Sequence, residues 1–405
     1  MINASDPDED DGAARAVLYA VGRPGVDIRT QIVGLEAELA ALPSDADDDR
    51  LRIHHALAAN YGDLGDYRRA LRHGQQELLL RRRVYGANHS DTLTTRHSIA
   101  FWTGLCGHPA EALRLAQELL PDREQVLGPD HPDTLTTRSN IAFWTGKCGH
   151  PAEALQLTRE VLPDRERVLG PDHPDTLTTR GNIAFWTAEC GHPAEALQLA
   201  QVLLPDQERV LGRDHPNTLT MRGNIVFWTR KCGHPAEALQ LAQGLLPDQE
   251  RVLGPDHPDT LTTRGNIASL TGRGGHPAEA LQLFQELLPE RERVLGRDHP
   301  DTLTTRHEIA FWTGLCGHPA EAQRLFRELL PERERVLGQN HPDTFTTRSN
   351  VAFWAGKCGH RVEALRLFQE LLPDQERVFG PDHPVTLATR HNIQTLDTPN
   401  STRDR

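Results

Sequence analysis

The sequence predicts an all-α fold, a solenoid of stacked helix pairs, and three observations support this prediction. A motif close to Asp-His-Pro-Asp-Thr-Leu recurs with a spacing of 42 residues, its histidine standing at positions 89, 131, 173, 215, 257, 299, 341 and 383. Between these histidines lie two stretches with apolar residues at helical spacing. A glycine closes each stretch. Periods of 20 to 50 residues are typical of solenoids, in which small helix pairs stack to bury a shared core.

The first helix of a repeat is illustrated by the stretch after His131. Pro132 suits the first position of a helix, because its ring presets the backbone and no needed donor is lost. The pattern predicts a helix to about Cys148, with Gly149 as its end. Its buried face is predicted to hold Leu135, Ile141, Ala142, Thr145 and Cys148.

The second helix begins in the same way at His150-Pro151 and ends at Gly170. Its predicted buried residues are Ala154, Leu155, Leu157, Val161 and Leu162. Pro163 falls inside this stretch, with equivalents at 121, 205, 247, 289, 331 and 373. An interior proline removes a helical hydrogen bond, so either the helix bends there or it stops at Leu162 and a short third helix follows.

The chain divides into five segments on this reading. We expect an acidic segment at 1–48, partly disordered with a possible capping helix at 26–42, and a divergent first repeat at 49–86. Seven 42-residue repeats occupy 87–384, a terminal capping helix 385–396 and a disordered tail 397–405. The lone last helix is expected to cover the open end of the core.

Composition and charge limit which classes of partner the protein is expected to bind. The formal net charge is -13, and residues 1–50 carry 12 acidic against 4 basic side chains. No basic patch stands out, which argues against nucleic acid. No apolar stretch is long enough for a membrane span, and Met1 through Asp11 lack the features of a secretory leader, so we expect a cytoplasmic protein. The excess of Arg over Lys is typical of GC-rich bacterial genomes.

The repeats resemble a known family. Ile141-Ala142, Gly149 and Glu153-Ala154-Leu155 resemble the tetratricopeptide repeat signature, and the 42-residue period opening on His-Pro-Asp-Thr-Leu is similar to the kinesin light chain subtype found also in bacteria. The resemblance covers roughly residues 50–396. It implies a right-handed superhelical solenoid of antiparallel helix pairs whose concave wall is formed by the first helices. Thr145 stands where the family usually has an aromatic residue, and the proline of the second helix is not part of its signature.

The resemblance also indicates a candidate ligand surface. In one repeat it consists of the residues opposite the buried face: Thr136, Ser139, Asn140, Phe143 and Lys147. Along the chain the candidate binding residues are Asn140, Asn182, Asn224, Asn266, Asn350, Asn392, Phe143, Phe185, Phe227, Lys147, Lys231 and Arg273. In similar repeats an asparagine at this position often bonds the backbone of an extended peptide, since it both donates and accepts. The alternative is an asparagine that only caps a neighbouring loop.

Other recurring polar residues have mainly structural interpretations. The arginines at 96, 138, 180, 222, 264, 306, 348 and 390 could bind an acidic ligand, but pairing with a glutamate of a second helix is favoured. The six Cys-Gly-His steps offer two zinc ligands where four are needed, and equivalent cysteines of stacked repeats are too distant for disulfides. We therefore expect buried thiols and helix-starting histidines. We expect no metal, cofactor or catalytic residue.

One repeat differs from the others. The Phe-Trp pair at 143 and 144 recurs in most repeats, but Ser269 and Leu270 replace it in the repeat at 259–296. We predict a soft joint or widened groove there, with Phe284 as a possible filler, because lost buried aromatics destabilise a core unless the space is filled.

The sequence thus predicts a non-enzymatic scaffold that binds a protein or an extended peptide. An alternative is a sensor or regulatory subunit that acts with a separate signalling ATPase or effector. The partner and the oligomeric state are not predicted.

Overall fold

A computed structural model describes residues 28–43 and 46–397, and these residues form eighteen α-helices and no strand. The helices are α1 Ile28–Ala41, α2 Asp47–Asp63, α3 Tyr67–Val84, α4 Ser90–Leu105, α5 Pro109–Leu127, α6 Pro132–Lys147, α7 Pro151–Leu169, α8 Pro174–Glu189, α9 Pro193–Val210, α10 Pro216–Lys231, α11 Pro235–Val252, α12 Pro258–Arg273, α13 Pro277–Val294, α14 Pro300–Leu315, α15 Pro319–Leu337, α16 Pro342–Lys357, α17 Arg361–Phe379 and α18 Pro384–Asp397.

The described chain divides into two compact parts, residues 28–228 and residues 229–397, and the division falls inside α10. In the first part each helix from α1 to α8 packs against the next one, up to α9. In the second part the same holds from α11 to α18. First helices of neighbouring repeats also touch, α4 against α6 and α12 against α14. The fold is therefore an all-α solenoid of consecutively packed helix pairs, as the sequence predicts.

The recurring histidine of the 42-residue motif caps the first helix of each repeat. In α6 the Nδ1 atom of His131 accepts a hydrogen bond from the backbone N–H of Asp133 at 3.1 Å. The same bond, at 3.1 to 3.4 Å, recurs at positions 89, 173, 215, 257, 299, 341 and 383. This confirms the prediction of helix-starting histidines and adds that the ring itself is the cap. The histidine before each second helix, such as His150, makes no such bond.

The second helices are continuous through their prolines. Pro163 lies inside α7, which runs without a break from Pro151 to Leu169. The same is true of the equivalent proline in α5, α9, α11, α13, α15 and α17. The alternative of a separate third helix is therefore wrong. In α5, α7, α9, α13, α15 and α17 the proline is followed by an acidic residue that pairs with the first helix of its repeat, as described below.

The core departs from the predicted faces in two ways. In α6, Leu135, Ala142 and Thr145 are buried as predicted, but Ile141 and Cys148 are only half-buried. In α7 the buried residues are Ala154, Thr158, Val161 and Arg165, whereas the predicted Leu155, Leu157 and Leu162 are half-buried. The buried row of α7 therefore follows a spacing of three and four residues that ends on a charged side chain.

Tryptophans join one repeat to the preceding one. A Cβ atom at Gly104 would be 2.3 Å from Cη2 of Trp144, and one at Gly146 would be 2.3 Å from Cη2 of Trp186. The relation recurs as Gly272 with Trp312 and as Gly314 with Trp354. The indole of each of these repeats thus fills the space that a side chain would occupy on the previous first helix.

Both ends of the described chain are helical. The helix expected at 26–42 is α1, and the single helix expected at 385–396 is α18. The disorder expected in the N-terminal part of the acidic segment and in the tail after Asp397 concerns residues outside the described range. None of the helices in the described range is both long and apolar enough to span a lipid bilayer.

Candidate functional site

A cavity of about 280 Å³ opens between three consecutive first helices of the first compact part. α4, α6 and α8 form its walls, and one residue of α7 lies among its lining residues. Aromatic and polar side chains alternate around it. The lining residues are His97, Ser98, Phe101, Trp102, Thr136, Ser139, Asn140, Phe143, Arg165, Thr178 and Asn182.

Four of the five residues predicted to face the groove in one repeat line this cavity: Thr136, Ser139, Asn140 and Phe143. Asn140 and Asn182 are half-buried, and both line the cavity. Nδ2 of Asn140 lies 3.3 Å from Nε2 of His97. Oδ1 of Asn182 and Oγ of Ser139 are enclosed without a hydrogen-bond partner. Buried polar atoms are rarely left so, which marks them as candidates for a ligand.

The predicted aromatic positions lie closer to the core than expected, whereas the predicted lysines, Lys147 and Lys231, are exposed. Phe143 is 5% exposed and Phe185 is 1% exposed, while Phe227 is half-buried. The ammonium of Lys147 lies 5.6 Å from the ring centre of Phe143 and 5.3 Å from that of Phe185. Desolvation lowers the pKa of this ammonium, and the charge of Glu189 opposes the shift. Lys147 thus covers two aromatic rings through cation–π contacts.

Three of the predicted asparagines are not accessible. Asn224 is 4% exposed, Asn350 is 0% exposed and Asn392 is 2% exposed. Nδ2 of Asn350 donates to the carbonyl of Thr346 at 3.1 Å. These three side chains are enclosed in the structure, so a ligand could reach them only after the surrounding side chains moved, and their role in ligand binding stays a prediction.

The remaining predicted positions lie in the second compact part. Asn266 lines a smaller cavity of about 50 Å³, whose other lining residues are Arg230, Thr262, Gly265, Ser269, Phe284, Arg291, Asp301, Thr304 and Glu308. Nε of Arg273 lies 3.4 Å from Oγ of Ser269, and Lys231 is exposed. This is the repeat in which the Phe-Trp pair is missing. Phe284 is buried beside the cavity but does not fill it.

A row of buried arginines and glutamines is a feature that the sequence analysis missed. At one position of each second helix stand Arg81, Arg123, Arg165, Gln207, Gln249, Arg291, Arg333 and Gln375, all of them at most 9% exposed. Nη1 of Arg165 donates to the carbonyl of Asp175 at 2.7 Å and to Oγ1 of Thr179 at 2.8 Å. Arg123, Arg291 and Arg333 make the same two bonds to the next repeat. These four arginines tie their second helices to the start of the following first helix, whereas Nε2 and Oε1 of Gln207 and of Gln375 have no hydrogen-bond partner.

The arginine row of the first helices has the structural role that the sequence favours. Nη1 of Arg138 lies 2.8 Å from Oδ2 of Asp164, the residue after Pro163. Arg96, Arg180 and Arg348 pair in the same way with Asp122, Asp206 and Asp374, and Arg264 and Arg306 pair with Glu290 and Glu332. The partner is thus an acidic residue of the same repeat, more often aspartate than the expected glutamate.

The cysteines are free thiols that cap the first helices. Cys148 follows the last residue of α6, and its backbone N–H bonds the carbonyl of Trp144 at 2.9 Å. All six cysteines are half-buried rather than buried as expected. Among the described residues no group of three or more His, Cys, Asp and Glu side chains is arranged to hold a metal ion.

Comparison with known proteins identifies the repeats. The sequence model of the tetratricopeptide repeat matches residues 51–91, 92–133, 134–175, 176–217, 302–343 and 344–385, and a second model of the same repeat matches 217–289. The chain belongs to the tetratricopeptide repeat family. The divergent pair α2 and α3 is therefore a tetratricopeptide repeat as well, since the first match begins at residue 51.

Several solved structures are similar to this chain, and the first one named here shares its fold. A Pyrococcus horikoshii Signal Transduction ATPase with Numerous Domains, which carries a tetratricopeptide repeat sensor, aligns with 88% of this chain and 50% of its own at 12% identity and a TM-score of 0.57. A kinesin light chain-like protein of Podosopora anserina, whose repeats are nearly identical to one another, is 23% identical to this chain. It aligns with 51% of this chain and 97% of its own, with a TM-score of 0.43. BtubC (BKLC) from P. vanneervenii is 16% identical and aligns with 57% of this chain and 92% of its own, with a TM-score of 0.47. No protein of curated function matches significantly.

Proposed function

We propose that this tetratricopeptide repeat protein is a non-catalytic scaffold that holds an extended segment of a partner protein between its first helices. The observation that supports the proposal is the cavity between α4, α6 and α8, where Ser139 Oγ and Asn182 Oδ1 have no hydrogen-bond partner. An extended peptide carries a row of free N–H and C=O groups, which suits asparagine amides that both donate and accept.

The aromatic walls of the cavity add to this proposal. Phe101, Trp102 and Phe143 offer apolar surface next to the amides of Asn140 and Asn182. Binding sites typically combine mainly apolar walls with a few polar groups that fix orientation. A peptide side chain would contact the rings while the backbone bonds the asparagines.

Selection from a display library of random linear peptides tests the proposal. We expect the wild-type protein to select peptides, and we expect the Asn140→Ala/Asn182→Ala variant to bind them at least about tenfold more weakly, because two amides of the groove are lost. The matched control is Gln156→Ala/Gln198→Ala, which removes two exposed amides from second helices. Equal affinity of all three proteins, or no selection by the wild type, would contradict the proposal.

A sensor role is the second candidate, and the likeness to a tetratricopeptide repeat sensor of a signalling ATPase supports it. In that case the chain would act with a separate effector. Affinity purification from the native cells followed by mass spectrometry distinguishes the two: an ATPase recovered in stoichiometric amount favours the sensor, and its absence favours the stand-alone scaffold.

A further inference from the structure

The outer face of α3 differs in charge from that of the next second helix. α3 contains six arginines and one acidic residue, Glu77, whereas α5 contains two arginines and four acidic residues. Glu77 is 3% exposed and accepts a hydrogen bond from Arg81. The exposed side of α3 therefore presents positive charge and no carboxylate.

Two exposed positions of α3 have the opposite charge to the same positions in every later repeat. Arg69 stands where the other second helices have Glu111, Glu153, Glu195, Glu237, Glu279, Glu321 and Glu363. Arg82 stands where they have Glu124, Glu166, Glu208, Glu250, Glu292, Glu334 and Glu376. The repeats are otherwise nearly identical, so this reversal of charge is specific to the outer face of the first repeat.

Five side chains of α3 form a basic stripe: Arg68, Arg72, Gln75, Leu79 and Arg82. All except Leu79 are polar, all are exposed, and their spacing of three, four and seven residues places them on one side of the helix. From Arg68 to Arg82 the stripe is about 21 Å long, at 1.5 Å per residue. Leu79 is 58% exposed and stands where later second helices have proline. A large apolar side chain thus lies in water between the arginines.

The arginines of the basic stripe are not neutralised by neighbouring side chains. Two other exposed arginines of α3 are paired, Arg69 with Asp66 at 3.4 Å and Arg83 with Asp47 at 2.8 Å. The three in the stripe form no ion pair or hydrogen bond with another described residue. The arginines that stand at the position of Arg72 in later repeats each pair with a glutamate of their own helix: Arg114, Arg324 and Arg366.

The surroundings of the basic stripe favour a narrow anionic ligand. α3 and α5 both pack against α4, and second helices of neighbouring repeats come within ion-pair distance, as Arg159 of α7 does with Glu195 of α9 at 3.6 Å. α5 exposes Glu111, Glu118 and Glu124. Positive charge is therefore about one helix wide, roughly 10 Å, with carboxylates beside it.

This width discriminates between classes of anion. A lipid surface or a nucleic-acid duplex would extend over α5 as well and would meet its carboxylates. A single-stranded nucleic acid is normally held by aromatic side chains that stack on its bases, and the basic stripe contains none. An acidic segment of a protein is narrow enough, and an apolar residue within it can pack on Leu79.

We propose that the basic stripe of α3 binds an acidic segment of a partner protein, with carboxylates on Arg68, Arg72 and Arg82 and an apolar side chain on Leu79. A guanidinium binds a carboxylate through two hydrogen bonds, which gives such pairs a defined geometry. The stripe lies on a second helix and shares no residue with the cavity between α4, α6 and α8. The inference is therefore independent of peptide binding in that cavity and adds a second docking surface to the scaffold.

A stripe variant and a control variant test the proposal in the full chain. The stripe variant is Arg68→Ala/Arg72→Gln/Arg82→Gln, whose first two changes install the residues found at positions 110 and 156. The control variant is Arg114→Gln/Arg324→Gln/Arg366→Gln. It loses the same formal charge, but from arginines that are already paired. Circular dichroism melts verify that both variants are folded.

Each protein is used to select peptides from the same display library of random sequences. We expect the wild type and the control variant to select a set of peptides with acidic residues on both sides of an apolar one, and the stripe variant to lose this set. Changing the acidic residues of one such peptide to amides should weaken its binding at least about tenfold. Leu79→Ala should weaken it roughly threefold, and raising the NaCl concentration from about 0.05 to about 0.5 M should weaken it further, because exposed charges are screened.

The outcomes separate this surface from the cavity. If the wild type selects no acid-rich set, or if the stripe variant keeps it, the proposed docking surface is overturned. Peptides that depend on Asn140 and Asn182 should still be selected by the stripe variant, so peptide binding in the cavity stands or falls by itself.

Two further probes test the other anions. Vesicles of phosphatidylcholine and phosphatidylserine report a lipid surface, and polyuridylate reports a single-stranded nucleic acid. We expect neither to bind the wild type more tightly than the stripe variant. Binding of either probe that is lost in the stripe variant, without an acid-rich set of peptides, would assign the stripe to that anion and overturn the proposal.

Discussion

Trp186 lies so close to Gly146 that a methyl group on the glycine would be 2.3 Å from Cη2 of the indole. The two residues are on neighbouring first helices, α6 and α8. Trp186 is 2% exposed, so this contact is part of the continuous core between repeats. In the next repeat Ala188 stands where Gly146 does, which shows that one methyl group is accommodated at this position.

A larger side chain at Gly146 is expected to destabilise the array. Gly146→Leu should lower the free energy of unfolding by about 1–3 kcal/mol, since the indole of Trp186 and the backbone of α6 would have to separate. The measurement is urea denaturation followed by circular dichroism. Gly244→Leu is the control: this glycine is exposed in α11 with nothing within 4 Å of an added Cβ, so the better helix former should stabilise by roughly 0.5–1 kcal/mol. Equal effects at both sites would contradict the packing explanation.

The absence of the Phe-Trp pair at positions 269 and 270 is matched by a second exception in the preceding repeat. Arg230 occupies the position of Gly104 and Gly146, and Leu270 occupies the position of the tryptophans that pack there. Arg230 and Ser269 both line the small cavity. The two exceptions therefore belong together: a long side chain on one first helix excludes an indole on the next.

A double-mutant cycle tests this coupling. Leu270→Trp alone should destabilise by about 1–3 kcal/mol, because Arg230 takes the space for the indole, and Arg230→Gly with Leu270→Trp should restore a stable pair. Amide hydrogen exchange is measured over residues 262–290. It should be faster there than over the equivalent residues 136–164 in the wild type, and slower in the double variant. Strictly additive effects, or equal exchange in the two segments, would contradict the coupling.

Because a histidine caps the first helix, replacing the two histidines of one repeat should have different effects on stability. His131→Ala should lower the free energy of unfolding by about 1 kcal/mol, since the N–H of Asp133 loses its acceptor. His131→Asn should retain most of the wild-type free energy of unfolding, because asparagine is a preferred N-cap residue. His150→Ala should have little effect, as His150 makes no cap bond. Urea midpoints of the three variants provide the measurement, and equal losses at both histidines would contradict the role of Nδ1.

Buried His307 predicts sensitivity to acid. Its ring is 2% exposed, packs against Phe326 with ring centres 4.8 Å apart, and lies beside Arg333. Burial, followed by the charge of Arg333, holds the pKa of His307 well below 6.5. The unfolded chain therefore binds the proton more readily, and stability falls as the pH drops below 6.5.

The resulting prediction concerns the range from pH 6.5 to pH 5. His307 should contribute a loss of up to about 2 kcal/mol there, since each pH unit corresponds to ~1.4 kcal/mol. His307→Ser, the residue found at 139 and 349, should reduce the acid sensitivity, while replacement of the exposed His318 by Gln should leave it unchanged. Urea midpoints at the two pH values are compared. A variant His307→Ser as acid-sensitive as the wild type would contradict the assignment.

The helices could be predicted from the sequence because their ends are marked by local chemistry. Pro132 and Pro151 are the first residues of α6 and α7, and Gly170 follows the last residue of α7. Thr136, Ser139 and Asn140 line the cavity because helical periodicity separates them from Leu135 and Ala142. Asn350 is fully buried instead, because its exposure depends on neighbours such as His307, 43 residues away, which a local pattern does not include.

Arg165 could not be recognised on the assumption that charged residues face water. The signal for it was nevertheless present, since Ala154, Thr158, Val161 and Arg165 follow a single helical row and glutamine replaces arginine at its last position in three repeats. A position that takes either of these two types in nearly identical repeats is constrained by side-chain length more than by charge. Arg165 and Ser139 line the same cavity although 26 residues separate them, and only the packed structure brings the two together.

Packing of a tryptophan against the glycine of the preceding repeat gives most repeats two complementary sides, a large aromatic side chain on one and a small residue on the other. Ala188 takes the position of the glycine before Trp228. Repeats built in this way are interchangeable, because the tryptophan of one such repeat fits beside the small residue of another. The chain can therefore gain or lose whole 42-residue repeats while this contact is kept between the remaining ones. The junction between Arg230 and Leu270 is the exception, because an arginine stands at the glycine position and a leucine stands at the tryptophan position. A rearrangement that brought Arg230 before a tryptophan would create a mismatch, so the blocks on either side of this junction are not free to trade places.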